Sequence, residues 1–265
     1  MNGFSSKDYS NLKSFELENY CYTGSISQNN FGYSNSLKVV RIYSEITTEE
    51  KFISNSSNIE EICFTNLKNE TVNNDYVSPN IKNVTLIGPI TILDHVFENC
   101  SSLISISIPT AISIGFSTFS NCKSLENVNI PNITNLGDSA FYSCLALKTI
   151  EFPKLTKVGY MAFTGCESLK NANITQLAEI GPLGFALCSV LETINFEEVI
   201  SIGHSAFFRC YFLKNVNMPH LKNITEKSFQ YCVALEMVNF EEATTISEYG
   251  FYQCESLKIV HIPHL

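Results

Sequence analysis

LGDSAFYSCLALKTIEFPKL, residues 136–155, holds nearly the whole of one unit of a periodic chain. Its fixed point is Cys144. Phe141 stands three residues before the cysteine and Leu147 three after, with Ile150 and Phe152 at +6 and +8 and Pro153 at +9. A step of 22 residues in either direction returns the same types, with cysteine at Cys100, Cys122, Cys144, Cys166, Cys188, Cys210, Cys232 and Cys254. Phenylalanine keeps phase from Phe97 to Phe251, and leucine from Leu103 to Leu257. An apolar residue at +14 and Gly at +15 close the unit, as in Ile114-Gly115, Val158-Gly159 and Ile202-Gly203. A fixed period of this length is the signature of a repeat array, and it takes precedence over any local reading.

The phase runs on toward the N-terminus in weaker form. Ser78, Ser56 and Ser34 take the cysteine place, followed by Ile81-Val84-Leu86, Ile59-Ile62-Phe64 and Leu37-Val40-Ile42. Tyr9 opens one more unit, Leu12-Phe15-Leu17, with a three-residue insertion before Ser34. The pattern predicts a repeat solenoid of about twelve units, degenerate over residues 1–91 and regular over 92–265. With no linker between them, residues 1–265 read as a single domain. The polar stretch 68–80 (KNETVNNDYVSPN) is expected to be an irregular loop. The last unit stops in the middle, at Ile262-Pro263-His264-Leu265. That predicts either a fragment of a longer chain or an end-to-end homodimer through an uncapped strand edge.

Within a unit, apolar +6 and +8 alternate with polar +5 and +7, the period of a short strand with one buried face. Proline at +9 lacks an N–H and ends the strand. Gly at +15 suits a turn, and the Ala-Phe pair after it suits a helical turn or a short second strand. No single unit can bury its apolar face alone, whereas stacked units can, at about 4.8 Å per step. Phe then lies on Phe, Leu on Leu and Cys on Cys.

The unit, quoted nearly whole in residues 136–155, resembles the leucine-rich repeat of the BspA type, also called the Treponema pallidum type. The resemblance covers the whole chain, most closely from residue 92 onward. It implies a right-handed superhelix with a parallel β-sheet on the concave face, and a protein-binding or adhesion function in which no motif residue is catalytic. Few Gly, abundant Asn and Ile, and a missing signal peptide resemble a protist member of the family more than a secreted bacterial one.

Composition excludes several functions. The chain has 17 basic and 26 acidic residues, a net charge of −9, which opposes binding to nucleic acid or to an anionic membrane surface. No apolar run approaches the roughly 20 residues of a membrane-crossing helix. The start, MNGFSSKDYSNLK, lacks a basic then apolar leader. There is no CxxC pair to gather a structural zinc, and stacked cysteines about 4.8 Å apart are too widely spaced for disulfides. The cysteine ladder therefore reads as free, buried thiols, which favours a cytoplasmic location, with the cell surface open by a non-classical route. Cys63, at +7, should face outward. His95, His204, His220, His261 and His264 read as solvated. No nucleophile, phosphate-loop or metalloprotease motif occurs, so no enzyme activity, metal or cofactor is expected. Seven N-x-S/T sequons occur; Asn99, beside Cys100, is expected to be too enclosed for a glycan.

The informative residues are the outward ones on the strands. Position +7 carries Asn129, Glu151, Asn173, Asn195, Asn217 and Asn239, and position +5 carries Thr193, Asn215 and Met237. Such a polar, nearly uncharged face is either an amide ladder that stabilises the stack or a surface for a protein partner, and the two are compatible. Met237 and Ile259 add an apolar spot. Acidic residues beside it, Glu192, Glu236, Glu197-Glu198 and Glu241-Glu242, form either a solvated rim or a patch that orients a basic partner. The function expected is non-catalytic protein binding or adhesion. The alternatives are a regulatory or targeting domain for an enzyme carried on another chain or missing segment, and an array without a ligand.

Overall fold

The computed structural model describes residues 13–17, 37–43, 58–65, 67, 70–73, 77–78 and 80–265. Tyr9, Cys21, Ser34 and Ser56 lie outside the described residues. Each coil of the stack contributes one strand of three or four residues at +5 to +8, and these strands pair in parallel. Among the described residues they form sets of six, two and four, twelve in all. The register is the sequence period, with Glu61 beside Asn83, Asn83 beside Ser105 and Ser105 beside Asn127. Ser14 pairs with Val39, an offset of 25 that absorbs the three-residue insertion. Burial alternates along Val39–Ile42, Glu61–Phe64 and Asn83–Leu86, as a strand with one core-facing side requires.

A second side is built from two-residue strands at +13 and +14. Ser113–Ile114 pairs with Asn135–Leu136, and Lys157–Val158, Glu179–Ile180 and Ser201–Ile202 form a run of three. One piece of the presumed loop 68–80 belongs here. Glu70–Val72 is a strand paired with Ile90–Ile92, and Val72 is fully buried, so a single apolar residue in a polar stretch was enough to anchor it.

The third side is a wall of turns, and it corrects the expectation for the Ala-Phe pair, which is neither helix nor strand. Two residues per coil, at −5 and −1, take the left-handed backbone, as at Ser139 (φ 56°) and Ser143 (φ 55°). The N–H groups at −5, −3 and −1 donate to the next coil: Ser117 to the Asp138 carbonyl, Phe119 to Ala140 and Asn121 to Tyr142, at 2.7–2.9 Å. The wall is thus a hydrogen-bonded ladder in its own right. The glycines at +15 open the turns as expected, Gly137 accepting from the Ala140 N–H and Gly181 from the Gly184 N–H, but without positive φ. They also permit close approach: a Cβ on Gly137 would stand 2.5 Å from the Gly115 carbonyl carbon, and one on Gly203 2.3 Å from the Pro182 nitrogen.

The core consists of spines. The −3 rings stack from Phe97 to Phe251 with centroids 5.1–5.6 Å apart and planes within 19°. Phe152, Phe196 and Phe240, at +8, pack against that column at 5.7–5.9 Å. Each ring removes a large apolar area from water, worth about 1.5–3 kcal/mol per side chain. Ser78, in the cysteine place of a degenerate coil, is also buried.

Candidate binding surface

The outward strand residues fall into three groups. At the N-terminal end of the regular coils the ladder is closed: Ser105 donates to Asn83 Oδ1 at 2.7 Å, and Asn129 Nδ2 donates to Ser107 Oγ at 2.9 Å. At the C-terminal end Asn239 Nδ2 donates to Asn217 Oδ1 at 2.9 Å, while the Asn239 Oδ1 has no partner. Between them stand Thr149, Glu151, Asn171 and Asn173. All four are exposed, and none of their side chains has a hydrogen bond or ion pair within the described residues. Asn195 is placed by its backbone, which pairs with Asn217. Thr193 and Met237 are exposed, and Asn215 is half-buried.

The middle group sits on its own two-stranded sheet. Thr149–Glu151 pairs with Asn171–Asn173, but it does not pair with Asn127–Asn129 before it, nor Asn171–Asn173 with Thr193–Asn195 after it. The core residues at these breaks, Val128 and Ala172, are only partly buried, whereas Ile106, Ile150, Ile194, Val216 and Val238 at the same position are buried. A cavity of about 380 Å³ opens at the first break, lined by Ser105, Ser107, Glu126, Asn127, Asn129, Thr149 and Glu151 among others. Periodicity carries no signal for these breaks, because the register is unchanged across them.

The acidic rim is mostly paired. Glu126 meets Lys148 at 3.1 Å, Glu192 meets Lys170 at 3.1 Å and Glu236 meets Lys258 at 3.5 Å, so Glu192 and Glu236 are locally neutralised rather than a free acidic patch. Glu242 accepts from His220 at 2.7 Å. That bond raises the His220 pKa and lowers that of Glu242. Glu60 bridges Lys38 and Lys82, and these two hydrogen bonds hold its carboxyl down at about 2.

A family model for the BspA-type leucine-rich-repeat region matches residues 3–113, 90–198 and 178–265. The chain belongs to that family. Leucine-rich-repeat proteins of the BspA type are generally protein-binding or adhesion modules. A search of curated proteins finds no match. Among solved structures, the chain is similar to a Treponema pallidum leucine-rich-repeat protein, with 21% identity over 67% of this chain and 77% of that one and a TM-score of 0.47. It is also similar to a leucine-rich cell surface protein of Faecalibacterium prausnitzii, with 19% identity, coverage of 96% and 88%, and a TM-score of 0.41. A Bacteroides ovatus leucine-rich-repeat protein gives 19%, 91% and 76%, and 0.35.

In this BspA-type chain the cysteine ladder has a role beyond packing. From the second rung on, each thiol donates to the phenylalanine carbonyl 25 residues earlier: Cys122 to Phe97, Cys144 to Phe119 and so on to Cys254 and Phe229, at 3.0–3.2 Å. The nine described cysteines are unpaired. Burial pushes their thiols up, to about 11 at Cys100 and about 12 at Cys166, so they are not activated nucleophiles. Cys63 is half-buried, with its pKa raised first by desolvation and then by Glu61. Asn99 differs from expectation: it is exposed, with φ at 62°, because the left-handed turn swings it outward from Cys100. No helix among the described residues is long and apolar enough to cross a membrane.

Proposed function

We propose that the strand side of the solenoid docks a protein partner without catalysing any reaction, and that the contact centres on Glu151 and Asn173. Asn129, Thr193, Asn195, Asn215, Asn217, Met237 and Asn239 extend the same surface. One observation carries the reading. Along +7, Glu151 and Asn173 leave their side-chain hydrogen-bonding capacity unused, while Asn129 bonds Ser107 before them and Asn239 bonds Asn217 after them. Asn and Thr offer donors and acceptors without the desolvation cost of a charge, and the neighbouring cavity gives a partner side chain a place to enter. Unpaired thiols support a reducing, cytoplasmic setting. With 12 Gly in 265 residues and abundant Asn and Ile, the composition supports a protist source.

Changing Glu151 and Asn173 together to Arg should abolish capture of the native partner, with the melting temperature nearly unchanged because the spines are untouched. Unimpaired capture would move the site to another side of the coil. The exposed last strand, with Ile259 58% and Val260 53% exposed, supports end-to-end pairing of two chains. Light scattering should then show mass rising with concentration, and a constant monomer mass would remove that pairing.

A further inference from the structure

The turn wall changes its residues along the stack without changing its backbone. At −1 the chain reads Asn99, Asn121, Ser143 and Gly165, then Leu187, Arg209, Tyr231 and Gln253. All eight have positive φ, from 55° to 75°. Asn and Gly take that conformation most cheaply, and bulky side chains at greater cost. At −5 the series runs His95, Ser117, Ser139, Met161, Leu183 and Ser205 before Lys227 (φ 57°) and Tyr249 (φ 59°). Since earlier coils make the same turns with permissive residues, the fold does not require Arg209, Tyr231, Lys227 or Tyr249. Bulky residues take this conformation at Met161, Leu183 and Leu187 too, but from Arg209 onward they include cations and tyrosines, side chains with a use outside the fold.

These side chains gather into one cluster. The Arg209 guanidinium lies 5.0 Å from the Phe208 ring centroid and 5.5 Å from that of Tyr231. Phe208 meets Tyr231 edge-on at 5.8 Å, Tyr231 meets Tyr252 at 5.9 Å and Tyr252 meets Tyr249 at 5.5 Å. Arg209, Tyr249 and Tyr252 are exposed. Lys227 is neutralised by Glu226, whereas no carboxylate within the described residues reaches the Arg209 guanidinium. A guanidinium held over rings has lost part of its rotamer freedom but keeps its N–H fork. Exposed Tyr and Arg are the residue types that dominate binding energy at protein interfaces.

We propose that Phe208, Arg209, Tyr231, Tyr249 and Tyr252 form a second docking surface, and that its partner is an acidic protein segment. An Asp or Glu carboxylate takes the Arg209 fork in bidentate fashion, and the flanking apolar side chains rest on the tyrosines. Glu226 is taken up by Lys227 and Glu248 lies against Tyr249, so Arg209 is the cation left for a carboxylate, and the net charge of −9 disfavours such a segment elsewhere. This surface is on a different side of the coil from the strands and stands independently of them.

The test is selection of random 12-residue displayed peptides on the full chain and, in parallel, on an Arg209→Asn/Tyr231→Asn variant. The wild type should enrich peptides with Asp or Glu beside aromatic or aliphatic residues, and these should bind the variant at least about tenfold more weakly. Because Asn suits the left-handed backbone, the variant should melt at or above the wild-type temperature, by up to about 2–4 °C per position. Enrichment of basic or neutral peptides, equal binding to both proteins, or no enrichment would overturn the proposal. A lower melting temperature with unchanged binding would make the cluster structural. Tighter binding when phosphoserine replaces the selected Glu would reassign the surface to a phosphorylated partner.

Discussion

The turn wall around Ser117–Ser143 and the turn wall around Ser205–Gln253 are the same object twice. Both place two left-handed residues in each coil, and both send three N–H groups per coil to the next carbonyls, as at Phe119 to Ala140 and Phe207 to Ser228. Yet one is lined by Ser and Asn and the other by Arg, Lys and Tyr. The backbone is therefore set by what lies inside it, the Phe and Cys spines common to both regions. The outward residues are free to differ, and where they differ at a conformational cost, either their own ring contacts or a use outside the fold must offset it.

Removing a spine ring should hurt both regions alike. Phe119→Ala and Phe207→Ala are each expected to cost about 3–5 kcal/mol, read from the urea midpoint. A much smaller loss in one of them would mean that the two walls rest on different cores. Deleting one thiol should cost less. Cys122→Ala and Cys210→Ala each lose a small buried volume and one S–H···O bond, about 1–2 kcal/mol by thermal melting. Thiol titration sharpens the same point: native protein should expose one or two reactive groups, and unreduced denatured protein close to all ten cysteines. Mostly paired thiols would contradict the reducing setting.

Exchanging residues between the walls should have smaller effects of opposite sign. Asn121→Tyr places a bulky residue at φ 60° and is expected to destabilise by about 1 kcal/mol, while Tyr231→Asn should gain up to about the same. If both substitutions destabilise, the tyrosine contacts outweigh the backbone cost and the contrast is structural. The smallest effect is electrostatic and lies in the exposed His220–Glu242 pair. The raised His220 pKa makes its contribution fully present below the ordinary histidine value near 6.5, and lost as pH rises through the folded-state value. The lowered Glu242 pKa acts oppositely, its contribution being lost as pH falls through the folded carboxylate value. The melting-temperature difference between wild type and His220→Gln should therefore be largest near pH 5–6 and vanish at alkaline pH, a comparison made at low salt.

The 22-residue period determined the solenoid, its twelve strands and their register, including the three-residue step between Ser14 and Val39. In a stack each residue lies on its own copy one coil away, so spacing in the chain becomes neighbourhood in space. The Phe and Cys columns and the outward Asn positions follow from that alone. Tertiary structure decided whatever depends on a displacement rather than on a register. The strand ladder lets go beside Val128 and Ala172 although the sequence keeps phase, which leaves Glu151 and Asn173 free while Asn217 and Asn239 bond to each other. The left-handed turns were hidden as well, because residues such as Arg209 and Tyr231 give no hint of positive φ. The recurring glycines at +15 opened turns, as their spacing implied, but also marked a close contact between backbones that spacing does not show. A repeat fixes which atoms are neighbours; how near they come, and which donor finds which acceptor, is settled by the packing of the coils against one another.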